Sequence, residues 1–191
     1  MGRIILARSG TTEYDEDERI CGSLDMPLSA KGDSEADDLA RDLRSFPLEA
    51  VYAAAGEASL ATATRIGEEL GVKVKQLPDL TNQDFGCWQG LRLDELRRMN
   101  PRVYKLWEEN PCAVEPPNGE MVDEVKERVE KSLKPLLKKH DDATFVLVAP
   151  DPLRKVIRCW LTKTAADLPW ESNGPLWESL DFAAASRTNG A

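Results

Sequence analysis

The run Phe145-Val146-Leu147-Val148-Ala149 is apolar at every position, and it constrains the fold more than any other stretch of the chain. A strand with one wet face alternates apolar and polar residues, whereas an unbroken apolar run of this length reads as a central strand covered on both faces. A second run, Ile4-Ile5-Leu6-Ala7, breaks at Gly10 and reads as another buried strand that delivers polar residues to a loop. Val72 and Val74 alternate with Lys73 and Lys75, as in a half-buried strand near a sheet edge.

Helical patterns lie between these strands. Ser29 can cap a helix in which Ala36, Leu39, Ala40 and Leu43 recur, before Pro47 leads into a strand around Val51. The next helix begins near Glu57 and ends at Gly71. Val122, Val125, Val129, Leu133 and Leu136 mark one face of a long helix kinked near Pro135. Leu153, Val156, Ile157, Trp160 and Leu161 mark another, and both stripes read as core. The alternation of strand and helix predicts an α/β fold, a three-layer α/β/α sandwich with a mostly parallel central sheet and helices on both faces. One domain is expected over 1–182, with a flexible tail over 183–191.

Ligands in α/β proteins sit at loops that follow strands, so the stretch Arg8-Ser9-Gly10-Thr11-Thr12 is the first place to look for a site. Four further segments stand out. They are the continuous Gly22-Ser23-Leu24-Asp25-Met26-Pro27-Leu28-Ser29-Ala30-Lys31-Gly32, the pair Thr62-Ala63, the run Asp84-Phe85-Gly86-Cys87-Trp88-Gln89-Gly90, and Pro117-Asn118-Gly119-Glu120 before the long helix. On these residues the chain resembles the histidine phosphatase superfamily, the phosphoglycerate mutase-like proteins, from about residue 3 to at least Leu161. The family's first strand ends in Arg-His-Gly-Glu-Thr, and its later motifs read G-x-x-D-x-P-L-S-x-x-G and D-F-G-x-W-E-G.

The resemblance implies a phosphoryl-transfer site, and it also shows that most of that site has been replaced. The family uses a nucleophilic His, a second His, two Arg residues and a Glu acid. Arg8 matches the first Arg, Ser9 stands at the nucleophile, Ala58 at the second Arg, Asn82 at the acid and Pro150 at the second His. Removing one transition-state donor from such a site costs about 3 kcal/mol, and loss of the nucleophile closes the covalent route. The chain is therefore expected to be a catalytically inactive family member, a pseudoenzyme that binds a small ligand or another protein. The alternative is a phosphomonoesterase with weak or altered chemistry in the remnant pocket, with Ser9 as substitute nucleophile if a base activates it.

Arg8, Ser9 and Asn82, with Arg154 and Lys155 after the second-His loop, are the residues that could hold a ligand, and a phosphorylated or other small anionic one is expected. Arg8 reads equally as a structural cation paired with an acid of the following loop, and Arg154, Lys155 and Arg158 as helix surface charges. Glu13, Asp15, Glu16, Asp17 and Glu18 place five carboxylates near the pocket, within about one Debye length, and Asp15 stands where the family carries an Asn. Asp84 and Asp151 read as structural. The single histidine, His140, lies at a helix end beyond the strand's far terminus and reads as solvated, with no catalytic part. In the family the irregular segment equivalent to 91–119 roofs the pocket. Packing in the interior is the default for the five Trp residues.

With 191 residues, 41% hydrophobic and 31% charged, the chain is long enough to bury a sizeable core. Its net charge of −9 makes nucleic acid and anionic membranes poor partners, while a basic protein partner or a homo-oligomer fits. Cys21, Cys87, Cys112 and Cys159 form no C-x-x-C pair, so no metal site, cofactor or disulfide framework is expected. Met1-Gly2-Arg3 runs directly into the first strand without a secretory leader, which points to the cytoplasm.

Overall fold

The computed structural model describes residues 1–164 and 175–182; the expected tail over 183–191 and Trp170 lie outside the described residues. Five strands, β1 (Gly2–Arg8), β2 (Leu48–Ala54), β3 (Val74–Leu77), β4 (Thr144–Ala149) and β5 (Trp177–Phe182), form one sheet in the order β3-β2-β4-β1-β5. The all-apolar run lies in β4, third of the five, and the alternating valines feed β3 at an edge. Strands β1, β2, β3 and β4 are parallel, with Ile4 opposite Phe145 and Leu6 opposite Leu147, and β5 runs antiparallel along the free edge of β1.

Helices cover both faces because each buried strand sends alternate side chains each way. Ile4, Leu6, Phe145 and Leu147 meet α6 (Val122–Lys139) and α7 (Leu153–Thr162). Ile5, Ala7, Val146 and Val148 meet α2 (Ala30–Asp42) and α3 (Glu57–Leu70). The three layers expected from the sequence are present. The short α1 (Glu13–Glu16) follows the β1 loop, and Pro135 lies within α6. No helix among the described residues is long and apolar enough to cross a membrane.

The segment over 91–119 folds as α4 (Leu93–Met99), α5 (Pro101–Glu109) and a final short turn, with Pro101 starting α5 where its missing N–H costs nothing. Leu96, Trp107 and Val114 join Ile20, Phe85 and Trp88 in a separate apolar cluster. Trp88 and Trp107 are buried, their rings meeting edge to face at 5.5 Å.

His140 corrects the sequence reading. It is buried rather than solvated, with 1% of its surface exposed. Its Nε2 lies 2.9 Å from the Tyr52 hydroxyl and its ring packs on Phe145 at 4.9 Å. The chain leaves α6 at His140 and turns beneath the sheet toward β4, which carries the ring under the start of the strands. The position along the fold is as expected: the main chain of His140 abuts Gly2, at the beginning of β1.

Candidate functional site

The carboxyl ends of β1 and β4, with the start of α3, enclose a cavity of about 250 Å³. Its wall comprises the loop after β1, the segment 21–26, residues 55–59, Thr81 and Asn82, and Pro150 with Asp151. Close approach of backbones shapes it. A Cβ on Gly32 would come 2.0 Å from the Thr11 carbonyl oxygen, and one on Gly10 would come 2.5 Å from the Gly32 carbonyl oxygen. Only glycines let α2 press the β1 loop into place.

That pressing commits the main-chain donors of the loop. Ser9 N–H donates to Ala149 O at 3.1 Å, Gly10 N–H to Thr62 Oγ1 at 3.0 Å, Thr11 N–H to Glu35 Oε2 at 2.9 Å and Thr12 N–H to Asp15 Oδ2 at 2.8 Å. A phosphoryl group entering here meets amides that already have acceptors.

Arg8 donates through Nη2 to Glu35 Oε2 at 3.1 Å, and the two side chains are 14% and 17% exposed. Its partner is thus a carboxylate of α2, not one of the five acids of the following loop. Glu35 also accepts the Thr11 hydroxyl at 2.7 Å, so one carboxylate organises both the arginine and the loop. Of the five loop acids only Asp15 lines the cavity. Its Oδ2 accepts Thr12 N–H and Thr12 Oγ1 in a reciprocal cap on α1.

Asn82 is buried and lines the cavity. Its Nδ2 donates to Gly22 O at 2.9 Å and to Asp151 O at 3.2 Å, while its Oδ1 accepts Leu153 N–H at 3.1 Å. The amide ties three chain segments together, two of them by donation. A carboxylate could accept from Leu153 but could not supply the two donors. The position has become a structural clip.

Ser9 and Ser59 are buried, with 6% and 2% exposure, and both line the cavity. Neither hydroxyl hydrogen-bonds a described residue. The imidazole is out of reach of Ser9: the seven residues of β1, at about 3.3 Å each, separate His140 from Ser9 by roughly 20 Å. Ala58 and Pro150 line the cavity as well, and neither side chain can donate to an oxyanion.

Arg154 and Lys155 do not line the cavity. Arg154, expected on the surface, is 5% exposed; its Nε pairs with Asp151 Oδ1 at 3.1 Å and its Nη1 reaches Pro175 O at 3.4 Å. The first turn of α7 faces the core, which draws the guanidinium inward and makes a partner obligatory. Lys155 is half-buried. Asp84, also structural, accepts Gly86 N–H at 2.7 Å. Among the described residues the segment 91–119 contributes none to the cavity wall, whereas the segment 21–26 does, held by Gln89 Oε1 accepting Ser23 N–H at 2.7 Å.

Three residues missed by sequence reasoning shape the pocket. Asp25 Oδ1 accepts Glu57 N–H at 2.6 Å, filling one of the N-terminal donors of α3, and Glu57 itself adds a carboxylate to the rim. Glu35 could have been found, because it sits one turn after Gly32 on the face of α2 that also carries Ala36 and Leu39. Burial, reinforced by Asp15 and Asp25, pushes the Cys21 thiol up to about 12. Among the described residues no three His, Cys, Asp or Glu side chains are grouped to hold a metal ion.

A parallel sheet with a phosphate-type loop at its carboxyl edge, and these motifs around it, define a phosphatase-like α/β domain. Residues 4–177 match the family model of the histidine phosphatase superfamily (branch 1), and the chain belongs to that superfamily. It is 29% identical over 161 residues to Phosphoserine phosphatase 1 of Hydrogenobacter thermophilus, covering 84% of this chain and 76% of that one. It is 28% identical over 158 residues to the Bifunctional protein Rv2228c of Mycobacterium tuberculosis, but spans only 43% of its length against 82% of its own. Among solved structures, the mycobacterial glucosyl-3-phosphoglycerate phosphatase Rv2419c complexed with VO3 superposes with a TM-score of 0.85 at 25% identity, covering 95% of this chain and 91% of that one.

Proposed function

We propose that this chain is a catalytically silent histidine phosphatase, a small-ligand-binding or protein-interaction domain of the cytoplasm. The observation that carries the proposal is the position of its imidazole. The one histidine of the sequence is buried at the opening end of the strands, while the pocket lies at their closing end. At the pocket, among the described residues, no imidazole accompanies the Ser9 hydroxyl, and Ala58, Asn82 and Pro150 supply neither the second guanidinium, nor the acid, nor the second imidazole. Four cysteines that all carry free thiols support the cytoplasmic placement.

Single replacement Ser9→His tests the account of the site. It restores one group of a cooperating set, and catalytic groups that act together lose nearly everything when one is missing. Turnover of p-nitrophenyl phosphate by Ser9→His is expected to stay at the buffer level, and measurable turnover would overturn the assignment. The second reading, a phosphomonoesterase with altered chemistry, is favoured by the phosphatase names of the relatives and by the unbonded Ser9 hydroxyl in the pocket. Wild-type turnover abolished by Ser9→Ala would establish it.

A further inference from the structure

We infer that the outer face of α4 and α5 is an interface between two copies of this chain related by a two-fold axis, whether or not the pocket turns over substrate. The apolar face of α5 is wider than the core that covers it. Trp107 is buried in the cluster with Phe85 and Trp88, and Tyr104 packs against its edge. Val103 precedes Trp107 by one turn and Leu106 follows Val103 by one turn, so both lie on that same face, yet they are 39% and 46% exposed. Met99, the last residue of α4, is 64% exposed just before α5 begins. Single exposed apolar residues are ordinary, but a row of them bordered by charge marks a contact surface.

The border identifies the partner. Arg97, Arg98, Arg102 and Lys105 are all exposed, and no acid interrupts residues 96–107, in a chain whose net charge is −9. Arg98 pairs with Asp94 at 2.7 Å and Lys105 with Glu109 at 3.7 Å, while Arg97 and Arg102 pair with none of the described residues. The opposite sign adjoins them. Glu13, Asp15, Glu16, Asp17 and Glu18 are exposed, with no cation among residues 13–18. Leu93, the first residue of α4, donates its N–H to Glu18 O at 2.9 Å. The acidic stretch and the cationic end of α4 are therefore separated by one short helix, about 10 Å long.

In a two-fold contact, patch i of one copy meets patch j of the other and j meets i, so adjoining patches of opposite charge are self-complementary. Residues 13–18 of each copy then face the cations of its partner, with Met99, Val103 and Leu106 of both copies between them. The two net negative charges repel at long range, but salt screens that repulsion beyond about 8 Å and the local pairs decide. An anionic bilayer would satisfy the cations and repel the acids beside them. Residues 13–18 and 97–106 fall short of the roughly 20–30 residues a side of a standard interface, so the dimer is weak and forms with rising concentration.

Sedimentation equilibrium of the full chain at about 0.15 M salt, from about 1 to about 300 μM, tests the inference. The average mass is expected to rise from one chain towards two. Val103→Glu, which puts a charge into the apolar row, is expected to weaken the dimer at least about tenfold. Arg97→Glu with Arg102→Glu, and separately Glu13→Lys with Glu16→Lys, are each expected to weaken it about tenfold, because like charges then face each other. An equimolar mixture of these two double variants is expected to regain wild-type association, since each reversed patch meets its complement. All five positions are exposed, and an unchanged Tm checks that each variant folds. Should Val103→Glu fail to fold, the mixture decides alone. A wild-type chain that stays monomeric at every concentration, a dimer indifferent to Val103→Glu, or a mixture that stays monomeric overturns the inference. Monomers that bind vesicles of equimolar phosphatidylcholine and phosphatidylserine overturn it too, in favour of a membrane surface.

Discussion

The two ends of the sheet carry the same kinds of side chain to opposite effect. At the opening end of the strands, His140 is packed against Tyr52 and Phe145 and sealed from water, with Tyr52 OH at 2.9 Å from its ring. At the closing end, two serine hydroxyls, an arginine and several carboxylates face a cavity, and no imidazole is present. One end holds an imidazole sealed in the interior, the other a cavity that no imidazole reaches. Catalysis depends on where a titratable group sits, and composition alone does not reveal it.

The largest expected effect breaks the comparison at the pocket end. Asn82→Leu leaves Gly22 O, Asp151 O and Leu153 N–H without their partner, and about 3 kcal/mol of stability is expected to disappear in urea unfolding. Asn82→Glu, which restores the family's acid, is expected to destabilise as well, because a carboxylate turned toward two carbonyl oxygens repels both. A destabilisation under about 0.5 kcal/mol in both variants would show that the clip is not structural.

The next effect belongs to the opposite end. His140→Ala removes a buried ring and the Tyr52 contact, an expected loss of about 2 kcal/mol, while affinity of the pocket for any probe stays unchanged. A changed pocket affinity would mean that the two ends communicate through β4. The smallest effect sharpens the contrast in electrostatics. Cys87 is exposed, whereas the Cys21 thiol is pushed up to about 12 by burial first and then by Asp15 and Asp25. Its thiolate is therefore scarce at pH 8, and iodoacetamide is expected to label Cys87 at least about tenfold faster. Asp15→Asn is expected to speed labelling of Cys21, as read by peptide mass spectrometry.

Much of the fold was legible because burial on two faces writes itself into sequence as unbroken apolar runs. Strands β1 and β4 follow from such runs, and α2, α3, α6 and α7 from apolar residues at helical spacing. Strand β5 was not foreseen, since Trp177-Glu178-Ser179-Leu180-Asp181-Phe182 has mixed polarity and its pairing is decided by the open edge of β1. At the site, the replaced positions could be counted along the motifs. What each replacement does instead could not. Asn82 gains its meaning from three main-chain partners that are all distant from it in sequence, Arg8 from Glu35 on another element, and Arg154 from a helix face turned inward. His140 looked solvated because its neighbours Lys138, Lys139, Asp141 and Asp142 are charged; only the tertiary turn beneath β4 buries it.

Steady-state turnover of wild-type protein on phosphoserine, sugar phosphates and nucleotides, measured beside Ser9→Ala, tests the central claim most directly. Equal and buffer-level rates for the two proteins on every substrate are the predicted result. A wild-type rate above buffer that Ser9→Ala abolishes would contradict it, and would place an active nucleophile in a pocket that here has none.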